Sequence, residues 1–217
     1  MQNNHLLKKA ILTLLLCVAM PILNAQVVHI GDILCEGDLI VSPANFNANT
    51  HTAKAVVFYV DNTGQHGWAI ALQDAGYYAW DSQNSYHSVD TPLPNFGSKR
   101  EAIYDLDGYE NTRFIREYST SYPAFYAVDF EHGWYLPAIG QLNYLYGNLK
   151  EVNVSLDTVG GSKFVGDWEI WSSTENNFTL SWYLNNSGDL CLYTTYYGSG
   201  HYNGKENGRC VRAVINF

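Results

Sequence analysis

The segment "LPAIGQLNYLYGNLKEVNVSLDTVGG", residues 136–161, carries the clearest helical period in this chain, and the residues after it read as strands. Ile139, Leu142, Leu145, Tyr146 and Leu149 recur at three- and four-residue steps, which puts them on one face of a helix. Val152, Leu156 and Val159 form a second stripe, and Gly147 separates the two. Pro137 suits a first helical turn, where no amide hydrogen is needed. Gly160 and Gly161 make a stop. Ahead of this block, "AVVFYVDNTGQHGWAIALQD" (Ala55–Asp74) reads as a β-hairpin turning at "DNTGQ". Residues 77–108 are rich in turn formers and read as irregular. In "YENTRFIREY", Phe114, Ile115 and Tyr118 sit at helical spacing behind Asn111, a candidate cap. From Glu169 onward, "EIWSSTE", "TLSWYLN", "DLCLYTT" and "RCVRAVINF" are four strand candidates, with "NNSGD" (Asn185–Asp189) a tight hairpin turn. Helices segregated between a hairpin and a β-rich end predict an α+β fold with a C-terminal antiparallel sheet.

The first 25 residues are of another kind. Lys8 and Lys9 precede an apolar run of about a dozen residues, and "NAQ" offers a small residue for cleavage, so residues 1–25 read as a secretory signal cut after Ala25. The run is short for a membrane span, which needs about 20 residues. Leu16 stands before Cys17, where lipoprotein processing wants a small residue. The expected product is one exported domain, residues 26–217, with an irregular N-terminal extension. It has ten basic and 21 acidic residues, a net charge of −11. That balance argues against nucleic acid, whose phosphates demand a basic footprint, and against anionic lipid. A neutral glycan or another protein on a cell surface fits better. No cofactor is implied.

Sites for chemistry are sparse. The sequence has no HExxH, CxxC, GxSxG, P-loop or dinucleotide fingerprint. Asp105, Asp107 and Glu110 stand close together, as calcium ligands do, but also as acids do in a turn before a helix N-terminus. Acid pairs for glycoside hydrolysis are not singled out. Sequons occur at Asn153, Asn177 and Asn185. Cys35, Cys191 and Cys210 survive cleavage. Cys191 and Cys210, in two late strand candidates, could form a disulfide, or all three could be buried free thiols.

The run "TTYYGSGHYNGKENG" (Thr194–Gly208) is the most unusual in composition. Tyr offers large contact area at low entropic cost, and Ser, Gly and Asn adapt around it. It is either a long turn or a binding surface. The candidate ligand-binding residues are Tyr183, Asn185, Tyr193, Tyr196, Tyr197, His201, Tyr202 and Asn203. No catalytic residue and no metal ligand is assigned.

"VVFYVDNTGQHGWAIAL", "GYENTRFI", "GWYLPAIGQLNYLYGNL", "EIWSSTE", "SWYLNNSGD" and "RCVRAVINF", in this order, resemble the bacterial Lcl-type C-terminal domain family. That domain ends a collagen-like surface adhesin. The resemblance covers Val56 to Phe217 in pieces. It implies a C-type-lectin-like fold, related to retroelement-diversified variable proteins and to formylglycine-generating enzymes. In the variable proteins the diversified residues lie in the last strands and loop, here Trp182–Asn207. The chain departs from calcium-dependent lectins, lacking their Glu-Pro-Asn and Trp-Asn-Asp motifs, and it lacks the two close cysteines of formylglycine-generating enzymes. The resemblance further implies scaffold roles. Trp134, Leu136, Pro137, Leu142 and Leu145 would pack a helix on the sheet. Trp171, Ser172, Ser173 and Glu175 would form a core strand, with Arg209 or Arg212 paired to an acid such as Glu175. The expected function is a non-enzymatic adhesion or ligand-binding module. The alternatives are an exported enzyme, either a glycan hydrolase or a Cys-dependent oxidase, and a structural subunit of a surface assembly.

Overall fold

The computed structural model describes residues 27–82, 91–192 and 205–217; the expected signal segment lies outside them. Among the described residues the fold is α+β, with two five-stranded sheets. The first has the order β10-β4-β3-β1-β2, from Val214–Asn216, Gly67–Ala71, Ala53–Val60, Ile33–Cys35 and Ile40–Val41, all antiparallel. The second has the order β5-β9-β6-β7-β8, from Gly76–Ala79, Gly208–Val211, Glu169–Glu175, Ser181–Asn185 and Leu190–Leu192. Its β6–β9 pair is parallel and the rest antiparallel. Among the described residues the α-helices are α1 (Lys99–Ala102), α2 (Gly108–Tyr118), α3 (Pro123–Tyr126), α4 (Ile139–Gly147) and α5 (Leu149–Val159).

The hairpin expected at residues 55–74 is β3 and β4. Asp61 makes its turn: Oδ1 accepts from the Thr63 hydroxyl (2.6 Å), the Thr63 amide (3.0 Å) and the Gly64 amide (3.1 Å). This side-chain mimic of a backbone turn is what Asp supplies at such positions. Those donors, the Thr63 hydroxyl first, hold the Asp61 carboxyl below its ordinary range. Alternation along β3 sends Val56 and Phe58 to one face and Ala55 and Val57 to the other, and all four are fully buried. Val56 and Phe58 meet Ile139, Leu142 and Leu145 of α4 and Val152 and Leu156 of α5. The same cluster takes in Ile170 and Leu184 of the second sheet, so these two helices share one core with both sheets. The break at Gly147 and the stop at Gly160 stand as expected. Gly160 has φ +71°, and the Gly161 amide returns to the Leu156 carbonyl at 2.7 Å.

Several expectations give way. The N-terminal extension is not irregular throughout: it supplies β1 and β2. Residues 77–108 hold most of β5 and all of α1. Asn111 is not a cap but lies inside α2, which begins three residues earlier; its amide is buried and donates to Asp105 Oδ2 (3.0 Å) and Ser173 Oγ (3.1 Å). Of its expected stripe only Ile115 is buried, while Phe114 and Tyr118 are exposed. "RCVRAVINF" is not one strand. It breaks at Arg212–Ala213 and contributes β9 to the second sheet and β10 to the first. Arg212 is the reason. Its buried guanidinium donates to the carbonyls of Ala71 (2.8 Å), Leu72 (2.7 Å) and Ser162 (2.7 Å) and lies 3.5 Å from Asp74. Burial pulls it down to about 10, against the opposing pull of Asp74.

Candidate functional site

Two buried cations, Lys205 and Arg209, follow the C-terminal Tyr-rich run in sequence and sit at the second sheet. Glu175, at the end of β6, is 1% exposed, and Lys205, which follows that run, is 3% exposed. The Lys205 ammonium donates to Glu175 Oε1, and Thr91 Oγ1 donates to Oε2. One carboxylate therefore receives both residues. The Lys205 carbonyl also accepts from the Trp80 amide (2.8 Å) and the Asp81 amide (3.1 Å), and its own amide donates to the Thr179 carbonyl (3.1 Å). Its ammonium lies 4.3 Å from the centre of the Trp80 ring. Trp80 is itself fixed, its indole donating to the Ser172 carbonyl at 2.8 Å. A charge this deep in a protein persists only when paired and hydrogen-bonded, so these contacts define one geometry. They fasten the chain just after residues 193–204 to the chain on either side of residues 83–90.

A second buried cation stands on the same sheet. Arg209 of β9 is 2% exposed; its guanidinium carbon lies 3.9 Å from the Tyr183 ring centre and 4.4 Å from that of Trp171. Its Nε is 3.2 Å from Glu169. Each arginine pairs with an acid, as expected, Arg209 with Glu169 and Arg212 with Asp74, while Glu175 receives Lys205.

The candidate binding residues divide. Tyr183 is only 5% exposed and belongs to the packed cluster with Trp171 and Trp80. Burial pushes its phenol up to about 12, against the pull of Arg209. It is a wall of the Arg209 site rather than a surface contact. Asn185 shapes the β7–β8 turn, its Oδ1 accepting from the amides of Ser187 (3.0 Å) and Asp189 (3.0 Å). Tyr193, Tyr196, Tyr197, His201, Tyr202 and Asn203 lie outside the described residues. The residues expected as scaffold do pack: Leu136, Leu142 and Leu145 are fully buried, as are Ser172 and Ser173. Sequence reasoning missed Lys205 and Thr91. The one signal was a lone lysine at the end of a long uncharged run.

The disulfide candidate is excluded. Cys191 on β8 and Cys210 on β9 are separated by β6 and β7. Three inter-strand steps put them about 14 Å apart, beyond the ~7 Å between Cα atoms that a disulfide tolerates. All three described cysteines are free, and burial raises each thiol. Asp105 is not a solvated acid. Its carboxylate turns inward to accept from Thr174 Oγ1 (2.7 Å), the Asp107 amide (3.0 Å) and Asn111. Burial raises its carboxyl despite those bonds. Glu110 pairs with Arg113 at 2.7 Å. Among the described residues, no group of three or more His, Cys, Asp or Glu gathers to hold a metal ion. The sequon amides are engaged too: Nδ2 of Asn153, Asn177 and Asn185 bonds Phe164, Asn176 and Cys191 respectively. No described helix is long and apolar enough to cross a membrane.

No family model matches the chain, and no match is found among curated proteins. The fold is similar to the crystal structure of a fimbrial protein from Bacteroides ovatus ATCC 8483, with a TM-score of 0.62 at 19% sequence identity. The match covers 88% of this chain and 49% of that one, so the chain spans about half the length of that neighbour.

Proposed function

We propose that this chain is an exported, non-enzymatic adhesion or ligand-binding module, in which residues 26–217 form one C-type-lectin-like domain of the Lcl C-terminal type. The observation that carries the reading is the buried Glu175 carboxylate, which receives both Thr91 and Lys205. A slack turn needs no buried ion pair at its end. A recognition segment gains from one, because a fixed base lowers the ordering cost on binding. The segment that ends at this anchor is rich in Tyr, Asn, Ser and Gly, a composition suited to glycan or protein faces. The α+β order of hairpin, helices and second sheet supports the fold implied by the resemblance. The raised thiols give no support to a Cys-dependent oxidase, whose nucleophile must ionise.

The fimbrial neighbour favours a second reading, a structural subunit of a surface assembly. One experiment separates the two. The chain from Gln26 to Phe217 is compared with a variant in which residues 194–203 become a Gly/Ser loop and Lys205 is kept. Both are tested for binding to whole cells and for self-association. Loss of cell binding at an unchanged unfolding midpoint supports recognition through the segment. Equal cell binding sinks that reading, and self-association in both proteins favours the assembly role.

A further inference from the structure

Beside the β7–β8 turn, a surface groove of about 380 Å³ opens between α4, the start of α5 and the approach to β6. Its walls are Tyr146, Leu149, Phe164, Val165, Trp168 and Asn186. That volume falls at the small end of ligand pockets. The walls are held in place from several directions. Tyr146 lies over Gly188, whose missing side chain makes room: a Cβ there would come within 2.2 Å of the ring. The Tyr146 hydroxyl donates to the Ser187 carbonyl at 3.1 Å. Asn153 of α5 grips both backbone groups of Phe164, at 2.8 and 3.1 Å. Phe164 meets Trp168 edge-on, with ring centres 5.4 Å apart. The Asn186 side-chain amide donates to Gly166 O (3.2 Å) and Asp167 Oδ1 (3.0 Å), and its backbone amide donates to the Trp168 carbonyl (3.1 Å).

These bonds leave a definite set of groups for a ligand. Among the described residues, the half-buried Trp168 indole N–H has no protein acceptor. Asn186 Oδ1 accepts from no protein donor, and the Tyr146 oxygen keeps a lone pair. No wall residue carries a charge. The groove therefore offers aromatic rings, one donor and two acceptors, and the nearby Asp167 carboxylate is tied to Asn186. A sugar ring presents the complement: an apolar C–H face for stacking and hydroxyls that both donate and accept. The notch beside Tyr59, Trp68 and Phe217 is also aromatic, but it contains Asp61 and His66 and is not charge-neutral in the same way.

We propose that the groove between Tyr146 and Trp168 binds one neutral pyranose ring of a glycan. The assignment rests on the reading of this chain as a binding module and names its ligand class. It places the sugar on described residues, apart from the segment 193–204.

The test uses the chain from Gln26 to Phe217 and a set of neutral methyl hexosides and their short oligomers, followed by calorimetry and Trp fluorescence. Trp168→Phe keeps the ring packing and removes the N–H. Val165→Glu adds a charge at an exposed rim position with little risk to folding. Each is expected to weaken binding about tenfold, while the Gly/Ser variant of residues 194–203 binds the sugar as the native chain does. Sugar binding that survives both groove variants overturns the inference, as does sugar binding lost only in the Gly/Ser variant. If no neutral hexoside binds but cells are still bound through residues 194–203, the groove assignment fails and the adhesion reading stands. If neither cells nor sugars bind, both fail.

Discussion

The central strand of the first sheet, β3, buries Val56 and Phe58 on one face and Ala55 and Val57 on the other. The matching layer of the second sheet, around β6 and β9, is built on Glu175, Lys205 and Arg209, each at most 3% exposed. One sheet is held by apolar area, which is tolerant of small changes in shape. The other adds to its apolar core a set of buried ionised groups, each packed against a charged partner. Apolar packing supplies stability, whereas buried pairs dictate one arrangement, and Lys205 of that arrangement directly follows in sequence the segment proposed to bind. The difference is that the first sheet rests on apolar packing and the second adds buried, paired charge to it.

The sharpest way to break this contrast is Lys205→Met. It takes the cation away from the buried Glu175 carboxylate and is expected to cost about 3–5 kcal/mol, read by urea denaturation. In the first sheet, Ile70→Ala removes a fully buried side chain without stranding a charge. It is expected to cost about 2–5 kcal/mol, scaling with the cavity left. Unlike Lys205→Met, it should leave ligand affinity unchanged once the folded fraction is taken into account.

A smaller effect separates the regions by pH. Burial raises the Asp105 carboxyl, so the folded chain holds that proton more tightly than the unfolded chain does. The sign follows from linkage: stability from this group falls as pH rises from the ordinary carboxylate range through the raised value, then levels off. Asp105→Asn has no such proton. Its stability relative to the native chain should improve across that window, measured by urea melts between about pH 4 and about pH 8. The smallest effect concerns the cysteines. Because Cys191 and Cys210 stand three strands apart, adding a reductant should leave the unfolding midpoint where it was, and thiol titration of the unfolded Gln26–Phe217 chain should find three free groups.

What could be read from the sequence was local. The Asp61 turn, the break at Gly147 and the stop at Gly160 all depend on residues within one turn of each other. β1 and β2 were missed because strands of three and two residues carry no measurable alternation. The division of "RCVRAVINF" was missed because both halves are strands, and only the three-dimensional position of Arg212 decides that they serve different sheets. Tyr183 looked like a surface residue because a strand with one open face would expose every second side chain. In β7 the residues Trp182, Tyr183 and Leu184 are all buried, since both faces are covered. The staple itself joins residues 30 and 84 positions from Glu175, a separation no local pattern reports.

The most direct measurement is a double-mutant cycle on Glu175 and Lys205, with unfolding free energy determined for Glu175→Gln, Lys205→Met and the pair. If the ion pair fixes the platform, each single change is costly and the double change recovers much of the loss, giving a coupling of about 1.5 kcal/mol or more. Additive costs would contradict it: the two groups would then act independently, and the segment before Lys205 would have no fixed base.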